Sequence, residues 1–180
     1  MLRLARETLV QVLRTGQFPE PQEVPAVAAR NGACFVTLTA RGALRGCMGN
    51  VLALEPLYKS LIRNARDAAL HDPRLDPVRL EELEQVRIEV TVLGELEDLN
   101  YRYPDELLSQ LRCGEHGVVL RIGCRMATFL PQMWTPIPDK VTFLDRLCEK
   151  AGCEASAWRA RESGVSVFCA EWFHEQEVAL

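Results

Sequence analysis

The sequence contains no apolar run that approaches the roughly 20 residues of a membrane-spanning helix, so no membrane partner is predicted. It also has no internal repeats and no low-complexity tract, which favours an ordinary globular domain. Basic residues are not in excess: a net charge of -4 and a pI near 5.5 argue against a nucleic-acid partner. The N-terminal segment lacks the apolar block and cleavage site of a secretory signal, which predicts a cytoplasmic location.

Cysteine motifs are missing, although cysteine itself is not. The seven cysteines stand at positions 34, 47, 113, 124, 148, 153 and 169, with no Cys-x-x-Cys pair among them. This spacing predicts neither a disulfide framework nor a zinc ribbon, and it favours free thiols in a reducing compartment. With three histidines and no local pair of ligands, the sequence predicts no metal site and no cofactor.

Hydrophobic periodicity and turn residues predict an α+β protein. Helices are predicted over 2–15, from Pro56 to the residues before His71, over Pro104–Leu111, and from Asp139 to Gly152. Strands are predicted over Ala33–Thr39, Ala43–Val51, Val86–Val92, Val118–Ile122, Met126–Leu130 and Val165–Cys169, with a proline-rich connector at 19–25 and a charged tail at the end. Several strand pairs are joined by turns too short for parallel crossovers, so we expect a mainly antiparallel sheet with flanking helices. We therefore predict a single domain over residues 1–180, and the sequence does not decide whether this domain is divided into two lobes.

The segment from Ala43 to Asn50 carries the strongest indication of a site. Gly46 and Gly49 remove side chains on both sides of Cys47, so that a ligand or another backbone segment can approach closely. Arg45 supplies a permanent positive charge, and nearby cations favour the reactive thiolate form of a cysteine. The segment is expected on the second arm of a hairpin, where a bulge at the glycines would redirect the thiol. The alternative is a packed cysteine in a hairpin shaped by its glycines.

Other residues extend this candidate site. Glu89 projects from the polar side of the predicted strand Val86–Val92 and is a candidate base, while a solvent-facing or salt-bridged carboxylate is the alternative. His71 and His116 are the other candidate bases for Cys47, and the sequence does not select among the three. Arginines 41, 45 and 74 are candidates for binding a carboxylate or phosphate of a small-molecule ligand. Asp72 flanks Pro73, where capping of a turn is the alternative role.

Four separated segments together resemble the AMMECR family. They are Leu44-Arg45-Gly46-Cys47-Met48-Gly49, residues 68–74, the strand at 87–93, and Ala127-Thr128-Phe129-Leu130-Pro131-Gln132. Met48 stands where an isoleucine is usual in the family, which is a volume-conserving exchange. The resemblance implies a two-lobed α+β fold, with a larger and a smaller lobe, and an uncharacterised biochemical role. It also implies a pathway shared with Memo-like and radical S-adenosylmethionine proteins.

Two functional hypotheses follow. The first is an enzyme or enzyme component that acts on a small molecule or a modified protein. Its catalytic candidates are Cys47 and Glu89, and its candidate substrate-binding residues are Arg45, Gly46, Gly49, Asp72, Arg74 and Gln132. This hypothesis places the segments Arg45–Gly49 and Phe129–Gln132 in one cleft. The alternative is a non-catalytic protein-interaction module that docks through the apolar, proline-stiffened loop around Trp134.

Overall fold

The computed structural model describes residues 1–21, 23–160 and 162–175, and it confirms the predicted α+β class. The helices are α1 (Leu2–Thr15), α2 (Ala26–Ala29), α3 (Leu57–Leu70), α4 (Pro104–Gln110) and α5 (Lys140–Lys150). The strands are β1 (Ala33–Ala40), β2 (Ala43–Gly49), β3 (Val86–Leu93), β4 (Glu97–Asp98), β5 (Gly117–Ile122), β6 (Arg125–Phe129), β7 (Ser163–Phe168) and β8 (Ala170–His174). Short 3-10 helices cover Leu80–Glu82, Pro131–Trp134 and Ala155–Arg159. Within the described ranges, no helix has the length and apolar character needed to cross a membrane.

The strands form two four-stranded sheets rather than one, and the chain divides into two compact units. Within the described residues, the first unit comprises Met1–Leu93 and residues 171–175, and the second comprises Gly94–Ala170. The first sheet has the order β2-β1-β3-β8, and the second has the order β4-β7-β5-β6. All strand pairings with a described register are antiparallel.

In the first unit, one face of the sheet is covered by α1 and α3. Val36 and Leu38 of β1 and Ile88 of β3 are buried with Leu9 of α1 and Leu61 of α3. This arrangement follows from period-2 alternation in the strands and i, i+4 spacing in the helices, which place apolar side chains on one face of each element. Helix α1 ends where Gly16 takes a left-handed conformation (φ 73°) and its N–H donates to the Val12 carbonyl over 2.9 Å.

In the second unit, α5 packs its apolar stripe on the other sheet. Phe143, Leu144 and Leu147 of this helix are fully buried with Val118 and Leu120 of β5. The helix begins at Lys140 and is capped, as predicted, by Asp139, whose side-chain Oδ1 accepts the Thr142 N–H over 2.8 Å.

Three predicted segments differ in the structure. The connector over 19–25 leads into an unpredicted single-turn helix, α2, and the predicted proline-stiffened loop after β6 begins with a 3-10 helix. The predicted charged tail contains β8, which has exposed Trp172 and Phe173 at the edge of the first sheet. The rest of that tail, after Glu175, lies outside the described residues.

Candidate functional site

A β-bulge in the β1–β2 hairpin decides where the Cys47 thiol lies. The hairpin turn has positive φ at both central residues, Arg41 (52°) and Gly42 (77°), and it pairs Ala40 with Ala43. If this register continued along the hairpin, the Cys47 side chain would lie on the buried face of the sheet that α1 and α3 cover. Instead the register shifts after Thr39, so that Arg45 has no partner on β1 and Thr37 pairs with Cys47. The predicted redirecting bulge is therefore present, but its extra residue is Arg45 rather than a glycine.

The two glycines of the segment make room for packing within the first unit. A Cβ added to Gly46 would overlap the carbonyl oxygen of Ala68 in α3, so the strand lies directly against the helix backbone. A Cβ added to Gly49 would overlap the Phe35 ring and lie 2.7 Å from the Cys34 carbonyl oxygen. Close approach does require both glycines, but the groups that approach belong to this chain.

Arg45 holds the loop that follows α3. Its guanidinium donates to the Glu82 carboxylate over 3.1 and 2.9 Å, and to the carbonyl oxygens of Asp76 and Pro77 over 2.5 and 2.9 Å. The hydrogen bonds from Arg45, with a smaller contribution from the Arg79 N–H, lower the pKa of Glu82 to about 2. This guanidinium is therefore directed at the loop and does not act as the thiol's cation.

Asp72 and Arg74 hold the backbone of Cys47. The Cys47 N–H donates to Asp72 Oδ2 over 2.9 Å, and Arg74 Nη2 donates to the Cys47 carbonyl over 3.3 Å. Arg74 also donates from Nε and Nη2 to the two oxygens of Asp72, over 2.8 and 2.7 Å. Because β2 is an edge strand, these bonds satisfy backbone groups that no neighbouring strand pairs.

The Asp72 carboxylate is a buried anion with several donors. Its side chain is 2% exposed, whereas that of Arg74 is 59% exposed. The Arg74 guanidinium, aided by the N–H groups of Cys47 and Arg74, holds the pKa of Asp72 well below its usual range. The pKa of Arg74 is raised, first by Asp72 and to a smaller extent by the adjacent Cys47 thiol. The cation beside the thiol is therefore Arg74 and not Arg45.

Cys47, Thr37 and Glu89 form one row across the face of the sheet opposite α1 and α3. Thr37 of β1 pairs with Cys47 on one side and with Glu89 of β3 on the other. The Thr37 hydroxyl donates to Cys47 Sγ over 3.4 Å, and the thiol is partly exposed. Two strand spacings separate the Cα atoms of Cys47 and Glu89 by roughly 10 Å, so the carboxylate does not contact the thiol. The Glu89 carboxylate has no hydrogen bond or ion pair with any residue in the described part of the chain.

The two histidines are engaged elsewhere. His71 Nδ1 lies 3.0 Å from Asp67 Oδ1 on the exposed end of α3. His116, in the second unit, is buried with its ring nitrogens facing the backbone N–H and Nε of Arg112, over 3.3 and 2.8 Å. Burial, together with the Arg112 charge, lowers the pKa of His116. Neither arrangement pairs a histidine with Cys47.

The second predicted site segment is organised around an aromatic core. Trp134 is 3% exposed, stacks on Phe143 with ring centroids 3.6 Å apart, and donates from Nε1 to the His116 carbonyl over 2.7 Å. It is therefore a core residue and is not exposed for docking. The neighbouring Gln132 has a buried Oε1 without a hydrogen-bond partner among the described residues. The cleft predicted for Arg45–Gly49 and Phe129–Gln132 remains a prediction.

Sequence reasoning missed Thr37 and Glu82. The Arg41-Gly42 turn signal gives the unbulged register, which does not pair Thr37 with Cys47, so the bulge was needed to find it. Glu82 lies 37 residues from Arg45 in a charged stretch, with no pattern that marks its partner. All seven cysteines are free thiols, and the described residues contain no group of three or more His, Cys, Asp or Glu arranged for a metal ion.

These features define the class: an α+β protein of two four-stranded antiparallel sheets, with a thiol redirected by a bulge at one sheet edge. The AMMECR1 family model matches residues 2–173. A Methanosarcina acetivorans protein is 37% identical over 98% of this chain and 90% of its own length, and a Pyrococcus furiosus protein is 35% identical over 98% and 87%. The crystal structure of an uncharacterized protein from Pyrococcus horikoshii is similar with a TM-score of 0.92, at 33% identity over 97% of this chain and 89% of that one. The chain belongs to the AMMECR1 family.

Proposed function

We propose that the protein is an enzyme, or a component of one, that acts on a small molecule or a modified protein at the sheet face around Cys47. One observation carries the proposal: the partly exposed Cys47 thiol accepts a hydrogen bond from Thr37 while Arg74 lies beside it. A hydroxyl donor and a nearby cation both favour a thiolate, the form in which cysteine acts as a nucleophile.

Glu89 fits a role on the substrate better than a role on the thiol. A general base must come within about 3 Å of the proton it removes. The Cα atoms of Cys47 and Glu89 are roughly 10 Å apart with Thr37 between them, so a substrate lying over Thr37 would contact both side chains. No ion pair with a described residue engages the Glu89 carboxylate, so it is available to contact a bound molecule.

The proposal also includes the pathway in which the protein acts and its location in the cell. The sequence resembles the bacterial form of the family called AmmeMemoRadiSam system protein A, which is associated with Memo-like and radical S-adenosylmethionine proteins. We infer a substrate supplied or consumed by such partners, in the cytoplasm. We do not favour the alternative hypothesis of a non-catalytic module that docks through Trp134, because that side chain is buried.

Brief alkylation with iodoacetamide, followed by peptide mapping, tests the thiol. Cys47 should react faster near neutral pH than the exposed cysteines 113, 124 and 169. Arg74→Met should slow Cys47, Arg74→Lys should retain most of the rate by keeping the charge, and Arg45→Met should leave the rate unchanged. A Cys47 that reacts more slowly than all three exposed thiols would show that it is a packed residue.

Metabolite profiling tests catalysis. A strain lacking the gene should accumulate a compound that the wild-type gene removes and that Cys47→Ala and Glu89→Gln do not. Cys169→Ala, which alters an exposed thiol, is the matched control and should restore the wild-type profile. Full restoration by folded Cys47→Ala would contradict the enzymatic role.

A further inference from the structure

A groove lies on the outward side of α3, on the surface where this helix faces the connector after α1. Its volume is about 540 Å³, within the range of small-molecule sites. The apolar lining comes from Tyr58 and Ile62 on the helix and from Phe18, Pro19, Pro21 and Val24 on the connector. Phe18 is 45% exposed, so a ligand here would cover apolar surface that now faces solvent.

One side of the groove carries three cations of α3. Lys59, Arg63 and Arg66 follow one another at i, i+4 and i+7, where like charges repel. The carboxylates in the lining are Glu20 and Glu55, and Asp67 lies beside Arg66. Arg63 pairs with Glu55 over 2.5 Å, and Arg66 pairs with Asp67 over 2.6 Å while its Cζ lies 4.8 Å from the Phe18 ring centroid.

Lys59 is the cation of this group that takes part in neither ion pair. It is exposed in the first turn of α3, a turn without an acidic residue, and its ammonium group makes no hydrogen bond or ion pair with any residue of the described ranges. A cation near the positive end of a helix is unfavourable, and a bound anion would relieve that repulsion together with the repulsion from Arg63.

We propose that this groove binds a small amphipathic anion, with its apolar body against Tyr58, Ile62 and Phe18 and its carboxylate or phosphate at Lys59 and Arg63. The contacts are charge-assisted hydrogen bonds at one end and apolar burial at the other, which is the usual division in small-molecule sites. This site is separate from the one around Cys47 and does not depend on the proposed enzymatic role.

Octanoate and its uncharged match octanol are suitable probes, with binding followed by NMR of the Ile62 methyl groups. Octanoate should shift these signals saturably, and octanol should bind about tenfold more weakly because it lacks the charged end. Lys59→Gln should weaken octanoate about tenfold and leave octanol unchanged. Comparing the affinities of octyl phosphate and octanoate distinguishes a phosphate site from a carboxylate site. Tighter binding of either of these two anions agrees with the proposal.

Arg146→Gln, which removes an exposed cation in the second unit, is the control for net charge and should bind octanoate like the wild type. Cys47→Ala should also bind normally, which separates this test from that of the proposed function. Equal binding of octanoate and octanol, unchanged binding by Lys59→Gln, or shifts confined to residues outside the groove would each overturn the proposal. The proposal would also be overturned if an extended peptide displaced the probe at a lower concentration than octyl phosphate does. The occupant of the groove would then be a protein segment.

Discussion

Two irregular segments, each adjoining a strand, are held by different forces. The β2 edge in the first unit is held by charged groups: Asp72 and Arg74 bind the Cys47 backbone, and Arg45 binds Glu82. The turn from Pro131 to Trp134 in the second unit is held by aromatic packing, with Trp134 stacked on Phe143. The first arrangement depends on charge and hydrogen-bond direction, and the second on volume.

The difference shows how each segment can serve a site. At the β2 edge, the charged groups bind backbone atoms and hold the strand in place. The Cys47 side chain is not used for this and remains partly exposed. A nucleophile needs such rigid support, since small displacements reduce catalysis. At the Trp134 turn the large side chain itself is used for packing and is not available to a ligand.

The largest expected effect is at the aromatic core. Phe143→Ala should cost about 3–5 kcal/mol of unfolding free energy, because Phe143 is fully buried between Trp134 and Phe129, whose ring centroids lie 3.6 and 5.2 Å away. Urea denaturation followed by tryptophan fluorescence measures the loss. The loss should be the same at pH 7 and pH 4, because no charge is removed. Met126→Ala, at a half-exposed side chain, is the control, and equal losses in the two variants would contradict this account of the turn.

The next effect probes how tightly β2 lies on α3. Gly46→Ala should cost about 3 kcal/mol, because the added methyl group overlaps the Ala68 carbonyl and the helix backbone cannot move aside cheaply. Gly164→Ala is a matched control in a strand of the second unit, where the new Cβ would lie 3.7 Å from Arg121 Nε, an ordinary contact. Urea midpoints of the two variants give the comparison. A Gly46→Ala midpoint equal to that of the wild type would show that the glycine is not there for packing.

The fold was predictable from the sequence where local patterns decide it. The alternation of Val86, Ile88 and Val90 and the stops at Gly16 and Gly152 sufficed to place strands and helices. The split into two sheets was not predictable, and neither was the strand β8, which is short and mostly exposed. Its pairing with β3 is a long-range interaction without a local signal.

Only part of the candidate site was predictable in its residues, and their roles were not. Cys47, Asp72 and Arg74 do come together, yet Arg74 replaces Arg45 as the cation beside the thiol. That exchange depends on a one-residue bulge, which was predicted at the glycines but whose extra residue, Arg45, the sequence did not identify. Thr37 enters the site for the same reason.

A smaller effect separates charge from packing at the β2 edge. Asp72→Asn should cost about 2 kcal/mol at pH 7, because it removes a buried charge that binds Arg74 and the Cys47 N–H. The folded pKa of Asp72 lies below its unfolded value of about 3.9, so its contribution is complete above that pH and is lost as the pH falls toward the folded pKa. The difference between variant and wild type should therefore shrink below about pH 4 in urea denaturation at a series of pH values. A pH-independent difference would mean that the variant lost packing and not charge.

The smallest effect concerns the second carboxylate of the same edge. Glu82→Gln should cost about 1 kcal/mol or less, because the Glu82 side chain is 37% exposed and solvent screens its pairing with Arg45. The pKa of Glu82 is about 2 in the folded protein, so this contribution is present above the unfolded value of about 4.3 and disappears as the pH falls toward 2. Molar salt should remove most of the difference from wild type for Glu82→Gln and little of it for Asp72→Asn, because exposed pairs are screened more than buried ones. Urea denaturation with and without salt measures both variants under matched conditions. A salt-insensitive Glu82→Gln loss as large as that of Asp72→Asn would show that Arg45 and Glu82 hold β2 as firmly as Asp72 and Arg74 do, and that the two carboxylates act as one network.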